Sequence, residues 1–512
     1  MGISSKHPSY LLALPDWEQM RQTHAGERRV KEAGVRYLPA TSGMVLDGFS
    51  PMAAPNSPGA MAYVAYRARA TFPEFVREAV QAMVGIIHAR PATIMLPAAL
   101  EPMRERATLA NESLEMLMRR ITEEQLISGR AGLLLDVPTL DPIQARDALP
   151  YIALYVAESI INWDPGTRDI PKPEALNLVV LNETEPQRNA DFSWEIKEKH
   201  RVLILGDILE NEEADGTATY MVGVFDDDDA VIDQSLLTTP TFKGNKLTRL
   251  PFVFVNTKDI ASDVDMPPLL GLSNLALTIY RGEADYRQAL FMQGQDTLVV
   301  IGGSPEDETY RTGAGATLKP PIGGDAKYIG VDSNGLPEMR SALENDYERA
   351  RAKAGELLNE SSRDRESGEA LRVRIAARTT TLHSIATTCA FALQELLRIA
   401  ATWVGADPNE VIVTPNTEFV QQTMTGKELL DLTSAKSAGA PLSYESLHNF
   451  MRARGMTTKT FEEELDAIEE EADLMLAAPP STDEFGPAPD QEQVEGEGEE
   501  EDEADDEEED ET

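Results

Sequence analysis

The side chains that most often carry catalysis or bind metals form no recognised pattern in this sequence. The segment TGKE around Gly426 lacks both the earlier glycine and the hydroxyl residue of a Walker nucleotide-binding loop. The histidines show neither HExxH nor any other ligand spacing, and we interpret them as ordinary core or surface residues: His7, His24, His88, His200, His383 and His448. The sequence therefore predicts no catalytic residue, no metal site and no cofactor.

One acidic cluster leaves an enzymatic alternative open. The run from Asp226 to Asp229 could bind a divalent cation, but Ala230 and Val231 stand where a calcium loop places a ligand and a glycine. We interpret the run as an acidic turn after the strand YMVGVF. A metal-dependent hydrolase or nuclease that uses this cluster remains the main alternative to a non-enzymatic protein.

The net charge of −42 bounds the possible partners. Residues 460–512 contain 26 acidic and no basic side chains, so the rest of the chain carries 62 acids against 46 bases, a net charge of −16. A protein that grips a nucleic-acid backbone needs a basic face, and none is evident here. Any DNA partner is therefore expected to be held weakly or to slide. An acidic scaffold that mimics DNA through its tail is a further alternative.

Cysteine content and hydropathy indicate the cellular compartment in which the protein is made. Cys389 is the single cysteine, which excludes a disulfide within one chain and favours a reducing compartment. No apolar run reaches the roughly 18 residues of a membrane helix. We expect a protein that is cytosolic where it is made and has no membrane partner.

The first half of the chain predicts helices followed by a sheet. A short helix, DWEQMRQTHAGERRVKEAG, ends at Gly34 and precedes a loop rich in proline and glycine. Helical spacing then recurs in FPEFVREAVQAMVGIIHARP and in NESLEMLMRRITEEQLISGR. Short apolar or alternating runs predict strands between residues 131 and 258: AGLLLDV, YIALYVA, ALNLVVLNET, DFSWEI, HRVLILGDI, TYMVGVF and RLPFVFVN.

The second half predicts long helices around a small insert. Residues 267–294 form one predicted helix, and residues 295–338 a β-like insert with many glycines and prolines. The next helix repeats apolar residues at steps of three and four: Leu343, Tyr347, Ala350, Ala354 and Leu357. After the polar break SSRDRESGE, a longer helix has an apolar stripe: Leu382, Ile385, Cys389, Leu393, Leu396, Ala400 and Trp403.

This order of elements resembles the portal protein family of tailed phages. Local motifs carry the resemblance: RLPFVFVN followed by a helix with Asn274, Tyr280 and Asp285, SGEALRVR at the start of the longest helix, and PLSYESLHNFM before FEEELDAIEEEAD. Trp17, Tyr37-Leu38-Pro39, GRAGLLLDVP and YIALYVAESIINW are similar to an uncharacterised phage family whose members are taken as portals. The resemblance covers residues 1–475.

The resemblance implies an α+β ring subunit at one capsid vertex, with twelve copies and no enzymatic activity. Double-stranded DNA would pass through its channel during packaging, retention and ejection, and its other partners would be the terminase large subunit, a head–tail adaptor and the capsid or scaffold protein. The subunit would belong to the virion and would be found in the host cytoplasm during assembly. The implied regions are a wing (1–266), a first stem helix (267–294), a clip (295–338), a second stem helix (339–358), a tunnel loop (359–367), a long wing helix (368–405), a crown (406–477) and a disordered acidic tail (478–512).

Two sites follow from these regions. The tunnel loop would face DNA, with Arg363 and Arg365 as its cationic groups, and its residues are Asn359, Ser361, Ser362, Arg363, Asp364, Arg365, Glu366 and Ser367. The clip lies between two antiparallel helices and would project from their end to contact partners through Glu306, Asp307 and Lys319. From the residues alone, an ordinary solvated link between helices with internal Arg–Asp pairing is the favoured interpretation.

Overall fold

A computed structural model of the chain describes residues 2–52, 56–138, 149–165, 176–206, 219–226, 232, 234–294, 297–301, 323–329, 335–358, 368–417, 419, 426–453, 456–457 and 459–477. The chain divides into two units, Met1–Phe419 and Val420–Thr512. The α-helices of the described residues are α1 (Pro8–Ala25), α2 (Glu27–Glu32), α3 (Ser42–Leu46), α4 (Pro58–Arg69), α5 (Phe75–Ile87), α6 (Leu114–Ser128), α7 (Leu270–Gln293), α8 (Leu336–Leu358), α9 (Gly368–Val404), α10 (Gly426–Ser437), α11 (Tyr444–Ala453) and α12 (Phe461–Ala477).

Two antiparallel sheets confirm the predicted α+β class. The described strands are β1 (Thr93–Met95), β2 (Arg130–Asp136), β3 (Tyr151–Val156), β4 (Ile160–Asp164), β5 (Leu178–Asn182), β6 (Glu185–Arg188), β7 (Trp194–Lys197), β8 (Lys199–Leu205), β9 (Tyr220–Asp226), β10 (Thr241–Phe242), β11 (Asn245–Lys246), β12 (Phe252–Asn256), β13 (Thr297–Ile301), β14 (Asp325–Ile329) and β15 (Ile412–Thr414). The larger sheet has four strands in the order β4-β5-β8-β9, and the smaller one has three in the order β12-β2-β3. Four further sheets of the described residues have two strands each. Every residue of β2 and β12 is buried, which explains their continuous apolar sequences.

The apolar stripe of α9 forms the centre of the first unit. All seven residues predicted on that stripe are buried, from Leu382 at 5% exposure to Trp403 at 0%. Leu382 and Ile385 belong to a cluster with α5 and α6, while the stripe from Cys389 onward packs with the two sheets. One helix face therefore joins the helical and the sheet-containing parts of this unit.

The N-terminal region differs from its prediction in two ways. The expected continuous helix is broken at Gly26, which has φ = 92° and separates α1 from α2. A residue with a side chain rarely adopts this backbone conformation. Glycine therefore ends the helix, although the residues on both sides are good helix formers. The expected loop also contains α3 and leads into α4, which Ser57 caps and Pro58 opens. Outside the N-terminal region, the segment IINWD forms a further strand, β4.

The segment GRAG connects α6 to β2 through a buried arginine. Gly129 ends α6 in the left-handed conformation, and a Cβ on Gly132 would collide with the Phe252 ring. Between them, Arg130 is 1% exposed and its guanidinium lies 4.2 Å from the Trp163 ring centroid and 3.8 Å from that of Phe254.

The charge of Arg130 is only partly compensated. Its Nη2 donates to the Ser262 carbonyl at 3.1 Å, but Nε and Nη1 have no hydrogen-bond partner among the described residues. Burial lowers the pKa of Arg130 to about 9, against the opposing effect of Asp263 and Asp265. Packing between the two rings, rather than ion pairing, is therefore its main structural contribution.

Two histidines of the first unit have structural roles. His88 lies at the end of α5, where Nε2 is 2.9 Å from the Thr122 hydroxyl, and burial lowers the pKa of His88 to about 4. His7 caps α1 by accepting from the Ser9 amide and stacks on Trp163 at 4.1 Å.

No helix of the described residues is both long and apolar enough to cross a membrane.

The second unit contains the predicted succession of a serine-initiated helix and a glutamate-rich one. Ser443 accepts from the Ser446 amide at the start of α11. Thr460 and Glu463 form a reciprocal capping box at the start of α12, in which each side chain accepts from the backbone amide of the other residue. These caps explain why the helices begin where they do.

We predict that shape matters more than charge at Arg130. Arg130→Ala leaves a cavity between two rings and should cost about 3 kcal/mol. Arg130→Met fills the same space without a poorly paired charge and should cost less than half as much. Thermal unfolding of the two variants beside the unchanged protein measures this. Equal losses of melting temperature for both variants would show instead that the charge itself is required.

Candidate functional site: a helix pair with a terminal β-ribbon

Helices α7 and α8 form an antiparallel pair. A Cβ on Gly271 would meet the Lys353 amine, and one on Gly282 would meet the Leu343 side chain. The residue numbers run in opposite directions along the contact, which defines the antiparallel arrangement. With 24 and 23 residues at 1.5 Å each, both helices are about 35 Å long. Their bounds agree with the predicted helices to within three residues.

A two-stranded ribbon lies between these helices in the sequence. Strands β13 and β14 are antiparallel, with Thr297 opposite Ile329 and Ile301 opposite Asp325. Gln293 ends α7 and Leu336 begins α8, so the chain leaves and re-enters the helix pair at the same end. The predicted β-like insert is therefore confirmed as a ribbon where its residues are described.

The polar residues that carried the family resemblance on α7 attach this helix to the N-terminal helices. The Asn274 side chain accepts from Gln19 on α1 at 2.7 Å, and Asp285 accepts from the Tyr66 hydroxyl on α4 at 2.5 Å. Tyr280 is fully buried in an aromatic cluster, with its ring 6.0 Å from that of Phe72. These residues position the helix instead of facing a ligand.

A buried carboxylate joins α7 to α8. Glu283 is 9% exposed, accepts from Arg287 Nε at 2.6 Å and accepts from the Tyr347 hydroxyl at 3.2 Å. Burial, with the nearby Glu283 charge, raises the pKa of Tyr347 to about 12, so the phenol stays a donor at neutral pH. The apolar spacing along α8 predicted a packing position for Tyr347 but gave no indication of Glu283. The spacing of four residues between Glu283 and Arg287 is the signal in the sequence that indicates this ion pair.

Most of the α8 surface is exposed. Among the side chains described from Leu336 to Ala354, only Leu343 and Ala350 are buried, while Tyr347 and Ala354 are half-buried. The predicted packing stripe is therefore present over these four residues. At the ribbon end of α7, three consecutive apolar residues are 41–48% exposed: Leu290, Phe291 and Met292. The helix pair thus has one face against the body and the remainder open to solvent.

The two predicted contact sites lie outside the described residues. The tunnel-loop residues are Asn359, Ser361, Ser362, Arg363, Asp364, Arg365, Glu366 and Ser367, and they connect the end of α8 to the start of α9. The clip residues Glu306, Asp307 and Lys319 belong to the segment between β13 and β14. Both placements remain predictions.

No metal centre is evident in the described part of the chain, where no group of three or more potential ligands converges. Asp226 ends β9, and Asp227, Asp228 and Asp229 lie outside the described residues. Cys389 is fully buried and burial raises the pKa of its thiol to about 12, so it is not poised as a thiolate.

Residues 268–404 match the family model described as "Domain of unknown function (DUF4055)". This range begins just before α7 and ends with α9, so it contains the helix pair, the insert and the long central helix. It covers about a quarter of the chain. No curated protein matches the sequence at a significant level.

Solved structures similar to this chain include two from the neck of a GTA particle. A chain in the neck of the native GTA particle, computed with C12 symmetry, is 14% identical, with 79% of this chain and 96% of that chain covered and a TM-score of 0.36. A chain in the neck of the empty GTA particle, computed with C6 symmetry, is 14% identical, with 73% and 88% covered and a TM-score of 0.36. At these values, the likeness does not establish a shared fold.

The Glu283–Tyr347 contact should stabilise the helix pair. Tyr347→Phe removes a donor to a buried carboxylate and should cost about 1–2 kcal/mol, so amide hydrogen exchange in α7 and α8 should become about tenfold faster. Glu344→Gln on the same helix is the control, because its ion pair with Arg340 is 60–69% exposed and should contribute little. Unchanged exchange in Tyr347→Phe would show that the contact contributes nothing to the pairing of α7 and α8.

Proposed function

We propose that this chain is a structural component of the head–tail region of a tailed phage-like particle and, more specifically, its portal protein. In this proposal, twelve copies form a non-enzymatic ring at one capsid vertex, through which double-stranded DNA is packaged, retained and ejected. The sequence resemblance supports this function through the order of its elements and its local motifs. The observation that carries the proposal is the α7–α8 pair with a ribbon between its helices.

The helix pair has the features that a ring subunit requires. Hydrogen bonds through Asn274 and Asp285 hold α7 against the N-terminal helices, so the position of the helix pair on these helices is defined. Because α8 exposes most of its surface, a neighbouring subunit could pack along it. In a cyclic assembly every subunit offers the same two faces to its neighbours, and rigid helices can repeat such a contact without distortion.

The partner sites of the proposed portal lie at different points of this element. The segment 295–338, which includes the ribbon, would be the clip, and Glu306, Asp307 and Lys319 would contact the terminase large subunit and later the head–tail adaptor. Because α7 and α8 are antiparallel, the insert is attached at one end of the pair, while the segment 359–367 follows the opposite end of α8. Docking and DNA contact would therefore be separated along the helix axis.

Electrostatics favours passage of DNA over retention by tight binding. Phosphate contacts release counterions, and a ring would repeat each contact in every subunit. The net charge of −16 outside residues 460–512 keeps such attraction small. Arg363 and Arg365 of the proposed tunnel loop would supply transient phosphate contacts, with Asp364 and Glu366 limiting their strength.

The oligomeric state tests the ring directly. Twelve copies of the 56.2 kDa chain give about 674 kDa, and native mass spectrometry of the purified protein should detect a species of this size. Negative-stain images should show a particle with a central hole. A protein that stays between monomer and tetramer from micromolar concentration upward, and also in the presence of the capsid protein, would contradict the proposal.

The proposed tunnel loop is tested by reversing its charge in assembling particles. Arg363→Glu with Arg365→Glu should preserve ring and procapsid formation but lower the amount of DNA packaged or retained severalfold, because transient phosphate contacts become repulsive. Arg28→Glu with Arg29→Glu is the control, since it makes the same change of charge on α2 at side chains that are 88% and 64% exposed. Equal DNA content in both double variants would remove the loop from the DNA path.

A further inference from the structure

The hairpin formed by β6 and β7 is exposed over its whole length. Strands β5 and β8 pair with Asn182 opposite His200, and β6 and β7 continue the same register with Glu185 opposite Lys197. The inner half of this long hairpin belongs to the larger sheet and is buried. Beyond it, every residue from 184 to 198 is exposed. At 3.3 Å per residue, this outer half extends about 15 Å from the sheet.

The turn of this hairpin is well formed. The Asn189 amide donates to the Ser193 carbonyl at 2.9 Å, and the Ser193 amide donates to the Asp191 carboxylate at 3.1 Å. Phe192 adopts φ = 67°, a left-handed conformation that is unusual for an aromatic residue. The hairpin therefore has a defined shape although every residue of its outer half is exposed.

One face of the outer hairpin is apolar. Side chains alternate between faces along a strand, so Pro186, Arg188, Trp194 and Ile196 share one face, and Gln187 and Glu195 face the other way. Trp194 is 67% exposed and Ile196 71% exposed. The Phe192 ring at the tip is 75% exposed and lies 5.2 Å from the Arg188 guanidinium. Exposed aromatic surface of this kind marks a contact with another molecule.

We propose that this apolar face packs against a second copy of the same chain, across the boundary between adjacent subunits. The proposal rests on the proposed ring. Phe192, Trp194 and Ile196 expose roughly 400 Å² of apolar surface, about half of what one partner contributes to a stable interface. The hairpin alone is therefore too small to hold a separate partner, but it suffices as one element of a larger contact that a ring repeats.

Charge disfavours DNA as the occupant of this face. Between residues 183 and 198 there are five acidic and two basic side chains, so the hairpin has a net charge of −3 and would be repelled by phosphates. Arg188 lies beside Trp194 on the apolar face, where it can pair with an acidic side chain of the neighbouring copy. An apolar contact with a matching positive charge offsets the repulsion between copies of this acidic chain.

The contact is tested by native mass spectrometry of full-length variants over a range of concentrations. Trp194→Ser with Ile196→Ser should raise the concentration at which rings form at least tenfold, with unchanged circular dichroism. Gln187→Ser with Glu195→Ser, on the opposite face of the same strand pair, is the matched control and should assemble like the unchanged protein. If the apolar-face variant also assembles normally while the unchanged protein forms rings, the hairpin contact is refuted and the ring stands.

Crosslinking separates this inference from the proposed function. Benzoylphenylalanine in place of Phe192 should yield, on irradiation, a covalent species of twice the chain mass, with the crosslink between two copies. This result would support the contact even if the native oligomer proved smaller than a ring. Crosslinks confined to one chain, or in assembled particles to a different protein, would overturn the inference.

Discussion

Burial of one face of α9 is the constraint on which the first unit depends. The stripe from Leu382 to Trp403 runs through both the helical cluster and the sheet-containing core. Removing any of these side chains would open a cavity between elements far apart in sequence, at a cost of about 2–5 kcal/mol for each leucine or isoleucine. Because β2, β12 and α6 all pack on the same helix, their positions are coupled. The start of α7 is positioned by the same packing, because Leu272 lies in one cluster with Leu382 and Ile385.

Polar contacts then set the direction of α7. Two acidic residues, only two positions apart, accept hydrogen bonds from tyrosines on different helices: Asp285 from Tyr66 on α4, and Glu283 from Tyr347 on α8. The pattern binds α7 on two sides while leaving the outer surface of α8 free. Such directional contacts suit a helix that must be held at a defined angle, since apolar packing alone tolerates rotation about the helix axis.

The distribution of charge and apolar surface fits the proposed function, in which a ring surrounds DNA without binding it tightly. The chain is acidic overall, which opposes both DNA binding and self-association. Compensating features are local: the proposed loop arginines toward DNA, and the exposed hairpin with Trp194 and Ile196 toward a neighbouring copy. Each of these two features would act only over a short range. The long-range repulsion from DNA and between copies of the chain is therefore retained, and binding is limited to the intended contact.

The sequence by itself determined the order and the bounds of the long helices, because their apolar residues recur at helical spacing over many turns. It also predicted the buried stripe of α9 residue by residue. It missed the break at Gly26 and the helix α4, where a single backbone conformation and a local cap decide the structure. The contact segments around Glu306 and Arg363 lie outside the described residues and remain sequence predictions.

Only the tertiary structure decided what individual side chains do. Tyr280 and Asp285 were part of a family motif, and the structure places them as anchors of α7. Arg130 stands directly before the apolar strand run AGLLLDV, and only the structure shows that it lies between two aromatic rings in the core. Trp194 and Ile196 belong to the predicted strand run DFSWEI, and only the structure shows that both are exposed. The physical reason is that a pattern reports which face of an element is apolar, whereas only the folded chain shows whether that face has a partner within the same molecule.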